Sequence, residues 1–120
     1  MSNSKLSIRP NLNLSSVIPD EDFQNKTLRP VLKLQNAIVV QLFLHHTKKR
    51  KLETSNKEEV FEVVQKTLQK DLVLKNKLIG SIVGLFTKEE LKEYQIKESE
   101  FNKRILNMLA QRISDNLNKE

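Results

Sequence analysis

Two side chains in this sequence titrate near neutral pH, His45 and His46, and they are adjacent. Neighbours on a helix point about 100° apart, so the two cannot close on one metal ion as an i, i+4 pair does. No His-Glu-x-x-His or similar spacing accompanies them, and the chain has no cysteine, which removes thiolate ligands and disulfides. Two glycines in 120 residues leave no phosphate-cradling loop and no nucleophile elbow, and no carboxylate pair stands at catalytic spacing. The sequence thus nominates no catalytic residue, metal ligand or cofactor site. His45 and His46 are expected to be satisfied or surface side chains, and the first to question if any chemistry occurs.

Charge is the stronger signal because it is uneven. The formal net charge is +6, and residues 28 to 54 carry six basic groups against one acidic, while residues 1 to 27 and 87 to 120 are balanced. The cations are Arg29 and Lys33 near one end of a helical stretch and Lys48, Lys49, Arg50 and Lys51 at its exit. These six form the candidate polyanion-binding set, and RNA, ribosomal RNA included, is the ligand to test first. Cations at a helix C-terminus also suit the helix dipole, so a plain solvated helix end explains them equally. Aromatics are few, five Phe and one Tyr, mostly on apolar stripes. Binding is therefore expected to be led by the phosphate backbone and steeply salt dependent.

A second candidate surface surrounds the two glycines, Gly80 and Gly84, one turn apart in a helical stretch. Each destabilises a helix by roughly 1 kcal/mol relative to alanine, so the pair implies a close approach to the backbone. Lys77, Gly80, Ser81 and Gly84 share that face. Its occupant is either another helix of the same bundle or a partner: a separate protein or a second copy across a dimer seam.

These groups must be positioned by helices. Thr27 can cap and Pro30 sits in a first turn, predicting a central helix over residues 30 to 47. Val31, Leu34, Ile38 and Leu42 make one stripe on it, while Val40 and Leu44 fall opposite, the pattern of a helix buried all round. Before it, residues 1 to 19 form an extended arm, either a mobile tail or one lying on the domain, and residues 20 to 26 a short helical turn that docks Phe23. After it, Ser55 and Glu58 suit a capping box for a second helix with Val60, Phe61, Val63, Val64 and Leu68 inward. Asp71 caps a third over residues 72 to 86. Thr87 and Glu90 form another box for a short fourth helix with Leu91 and Tyr94 inward. A last helix, capped near Ser99, carries Phe101, Ile105, Met108, Leu109, Ile113 and Leu117. The fold class is all-α, a single domain of about five helices over residues 20 to 118.

Two details complete the pattern. Arg112 lies at the edge of the last apolar arc and is expected to pair with Asp71 or Glu62, or to lay its stem on apolar surface with its head in water. A helix-turn-helix drawn over residues 88 to 108 spends its recognition face on Phe101, Ile105 and Met108, which argues against DNA reading. No apolar run approaches the roughly 20 residues of a membrane span, and the first residues lack the apolar core of a secretory signal, so a cytoplasmic setting is expected.

The run Phe23-Gln24-Asn25-Lys26-Thr27-Leu28-Arg29-Pro30-Val31-Leu32-Lys33-Leu34-Gln35-Asn36, with Gln69-Lys70-Asp71, Phe86-Thr87-Lys88-Glu89-Glu90 and Asn102-Lys103-Arg104, resembles a family of short Bacteroidetes proteins. Its members often carry the label glyoxalase. The resemblance spans residues 23 to about 117 and implies a bacterial setting. Metal-dependent glyoxalases hold His, Gln and Glu ligands on the strands of paired βαβββ modules, and none of those ligands matches a position here. Three functions are therefore open: a non-enzymatic module binding a polyanion through the basic helix end, a protein-interaction or self-association module using the glycine face, and an enzyme of the glyoxalase kind.

Overall fold

The structure, a computed structural model, describes residues 8–9, 19–47 and 57–118. Lys48, Lys49, Arg50, Lys51 and Ser55, and most of the N-terminal arm, lie outside the described residues. Among the described residues there is helix and no strand: α1 (Pro19–Phe23), a π-helical turn (Gln24–Leu28), α2 (Arg29–Leu34), α3 (Asn36–Thr47), α4 (Lys57–Lys70), α5 (Leu72–Val83), α6 (Lys88–Ile96) and α7 (Glu98–Asn118). The all-α expectation holds, with more and shorter pieces than five.

The element shared by the others is α7, with α3, α4, α5 and α6 all packed against it. Its buried side chains Phe101, Ile105, Leu109 and Ile113 recur every four residues, one ladder along one side of the helix. Val64 and Leu68 of α4, Leu74, Leu78 and Ile82 of α5, and Val39 and Phe43 of α3 join that ladder in one core. Phe23 docks as expected, its ring 4.5 Å from that of Phe101 and edge-on to Phe86 at 5.8 Å.

The central helix expected over residues 30 to 47 is neither continuous nor buried all round. It breaks at Gln35, whose side-chain Nε2 donates to the Ser81 carbonyl in α5 at 3.0 Å. Beyond the break, Val39, Phe43 and Thr47 face the core, while Ile38, on the expected stripe, is 52% exposed. Two apolar stripes run along this stretch, and α5 and α7 cover the one that carries Phe43. Thr27 is not a cap either. It lies buried in the π turn and donates its hydroxyl to Glu90 at 3.0 Å.

The π turn is how the chain brings Phe23 and Leu28 to the same core. Five residues of α-helix would rotate them about 140° apart at 100° per residue; a wider turn, closed by the Arg29 N–H donating to the Gln24 carbonyl, returns both inward. Several start signals hold as expected. Asp71 caps α5, accepting from the Leu74 N–H at 3.1 Å. Thr87 and Glu90 form the full capping box of α6. The last helix starts at Glu98, with Ser99 inside it rather than at its cap.

Glu90 does more than cap. Arg9, its side chain 5% exposed, donates to both Glu90 carboxylate oxygens at 2.6 and 2.7 Å and to the Leu85 carbonyl at 2.6 Å. Burial alone would raise the Glu90 pKa, but the bonds from Arg9 and the Thr87 N–H, the Arg9 charge and the Thr27 hydroxyl outweigh it and hold the carboxyl below its ordinary value of 4.5. A lowered folded value means that this contribution is fully present above the unfolded pKa and lost as pH falls through the folded one. Glu90→Ala is expected to lower stability by about 3 kcal/mol near neutral pH, because it strands Arg9 and opens the box. That penalty should shrink as pH falls below the ordinary value of 4.5, in thermal melts followed by circular dichroism.

Candidate polyanion-binding groove

One residue behind the buried ladder of α7 runs a second one at the same spacing: Arg104, Met108, Arg112 and Asn116. Since i and i+4 stack on a helix, the first ladder's burial brings these four together along the neighbouring side. They form one wall of a groove of about 780 Å³, completed by Gln24 and Arg29 at the π turn, Asn36 at the start of α3, and Phe61 of α4. Arg104 and Arg112 are separated by about 12 Å of helix at 1.5 Å per residue.

Each of the three arginines is held by an uncharged amide oxygen. Arg29 Nε donates to Asn25 Oδ1 at 2.9 Å, an Arg104 guanidinium nitrogen to Gln24 Oε1 at 2.8 Å, and one of Arg112 to Asn36 Oδ1 at 3.5 Å. Asn36 is itself oriented by reciprocal amide bonds with Asn116 at 3.4 Å, and Asn116 by the Arg112 carbonyl at 2.7 Å. Among the described residues none of the three arginines forms a salt bridge. A guanidinium has five N–H donors, so most of the donors on these groups remain available.

The charges act on one another. Burial holds the Arg112 pKa below its usual value, and the Arg29 charge pushes it further the same way. Asp115, which accepts from Gln111 Nε2 at 3.0 Å, restores part of the loss. Among the described residues lining the groove it is the only acid. On the other flank of α7, Asn107 also lines a smaller cleft of about 400 Å³ with Lys75 and Lys103, so basic side chains continue across the helix.

Of the six cations expected to contact a polyanion, Arg29 lies in the groove and Lys33 is exposed on α2 without lining it. The other four lie outside the described residues. Arg112 does not pair with Asp71 or Glu62; Asp71 instead receives His46, with Nε2 to Oδ2 at 2.7 Å. His46 thus buttresses the cap of α5, and His45 is exposed. Among the described residues no three His, Asp or Glu side chains gather as metal ligands.

Among the described residues no helix crosses at Gly80. A Cβ at Gly80 would meet nothing within 4 Å, so the expected crossing within the bundle is absent there. Lys77, Gly80 and Gly84 are exposed, while Ser81 is half-buried with its Oγ donating to the Leu78 carbonyl at 2.7 Å.

Sequence reasoning missed Arg104, Gln24 and Asn36 as site residues. The four-residue repeat Arg104, Met108, Arg112, Asn116, parallel to the apolar ladder, was the available signal. The first run contributes no comparable pattern, because the π turn and the break at Gln35 decide where Gln24, Arg29 and Asn36 point. The chain matches no protein-family model, no curated protein and no solved structure. Among the described residues no helix is long and apolar enough to cross a membrane.

Replacing Arg112 by Met removes a partly buried charge repelled by a neighbour and keeps the stem's apolar packing. Its stability is expected to equal or exceed that of the wild type, by no more than about 1 kcal/mol because the head still meets solvent. Added inorganic pyrophosphate should raise the wild-type midpoint and leave the variant's less affected, a comparison made by differential scanning calorimetry.

Proposed function

We propose that the protein is a non-enzymatic helical module that binds a polyanion, RNA in the first place, through the groove formed by Arg29, Arg104 and Arg112. The observation that carries this reading is that all three arginines are oriented by neutral amides rather than by carboxylates. Such an arrangement fixes the geometry of the donors while leaving much of the positive charge uncancelled, with Asp115 offsetting part of it at Arg112, which suits bidentate recognition of phosphate. The groove also offers Gln24, Asn107 and Gln111, whose amides can meet 2′-hydroxyls and unpaired base edges. Lys75 and Lys103 across α7 favour a polymer over an isolated phosphate, and Lys33 with Lys48, Lys49, Arg50 and Lys51 adds charge to the same chain.

A second reading is favoured by α5, where Leu72 and Val73 are 63% and 65% exposed on the helix that also presents Lys77, Gly80 and Gly84. It makes the protein an interaction or self-association module with that face as its contact.

Fluorescence anisotropy with a labelled single-stranded RNA separates the two. The first reading expects binding at 50 mM salt that weakens by an order of magnitude or more at 200 mM. It also expects the double variant Arg104→Glu, Arg112→Glu to lose at least tenfold in affinity, with a salt slope shallower by about two. Absence of RNA binding at low salt, together with a dimer at high salt that Gly80→Leu disrupts, would transfer the function to α5.

A further inference from the structure

We infer that the groove holds an unpaired nucleotide, its base against Phe61 and Met108 and its flanking phosphates on Arg104 and Arg112, a proposal that rests on the polyanion reading above. Phe23, Phe43, Phe86 and Phe101 are buried in the core. Phe61 is the remaining phenylalanine, and it is partly exposed and lines the groove. Met108 sits in the arginine ladder of α7, between Arg104 and Arg112, and lines the same space.

An apolar strip between cations has no use for a bare phosphate chain. Nor does it serve a duplex, whose bases present their edges and keep their faces stacked. An unpaired base has an apolar π-face, which stacks on aromatic side chains whatever the base, with cations nearby adding to the attraction. A thioether packs readily against the edge of such a ring. The dimensions agree. A groove of about 780 Å³ falls within the range of sites that enclose one small ligand and is adequate for one nucleotide. Gln24, Asn107 and Gln111 line the same groove, and their amides can pair with the edge of a flat ring.

The wild-type chain tests this without any substitution. Anisotropy is measured with three labelled probes of equal phosphate number per strand: an eight-nucleotide uridine RNA, an abasic strand of the same length, and an eight-base-pair RNA duplex. The uridine strand is expected to bind about tenfold more tightly than either of the others. Phe61→Leu, which keeps an apolar side chain against the core, is expected to reduce that advantage to about twofold or less while leaving the abasic strand's affinity unchanged. Circular dichroism melting verifies that the variant is folded. Equal binding of uridine and abasic strands, or an equal loss for both in Phe61→Leu, would overturn the nucleotide proposal and leave the polyanion reading standing. Failure of all three probes to bind at low salt would overturn both.

Discussion

Phe101, Ile105, Leu109 and Ile113 can leave water together only if α7 lies along the core on one side, and the rest of the arrangement depends on that burial. With each side chain fully or almost fully enclosed, the ladder fixes the rotation of the helix about its own axis. Turning α7 by one residue would drive Arg104 and Arg112 into the core and lift four large apolar groups into solvent, at roughly 1.5–3 kcal/mol each. The position of the arginine ladder is therefore a consequence of hydrophobic packing. The groove exists because α4 and the first helical run stand on either side of that helix.

The protein treats its arginines in two ways. Arg9 is neutralised: both carboxylate oxygens of Glu90 and a backbone carbonyl receive it, and the result ties the chain near its start to the cap of α6. Arg29, Arg104 and Arg112 receive only amide oxygens, and Arg29 and Arg112 repel one another. Acidic residues are not scarce in the last third of the chain, with Glu89, Glu93, Glu98 and Glu100 all exposed, yet none of these four lines the groove, where Asp115 stands instead. Like charges held in fixed geometry and only partly offset, here by Asp115, oppose folding.

Much of the fold was legible because local signals and tertiary structure agreed. Asp71 and the Thr87 and Glu90 box mark helix starts by satisfying orphan N–H groups, a requirement independent of the rest of the chain. The α7 ladder was visible because only one of its faces is apolar. Residues 30 to 47 were harder, since they carry two apolar stripes, and helical spacing cannot say which one neighbours will cover. Ile38, on the expected stripe, is exposed for that reason, while Phe43 is buried. The groove was legible only on its α7 side. Regional charge hid it, because residues 87 to 120 are balanced in sequence. Gly80 shows a related limit: a glycine permits close approach but does not require it, and among the described residues no helix of the bundle approaches it.

The central claim is that ligand charge meets this protein between α7 and the first helical run. The most direct test is nuclear magnetic resonance of the isotope-labelled chain, following backbone amides and arginine Nε–H signals as a short single-stranded RNA is added. The account predicts shifts concentrated at Gln24, Arg29, Asn36 and along α7 from Arg104 to Asn116, with the three arginine Nε–H signals moving together. Shifts confined to α5 around Lys77, Gly80 and Gly84, or none in the groove at saturating RNA, would contradict it.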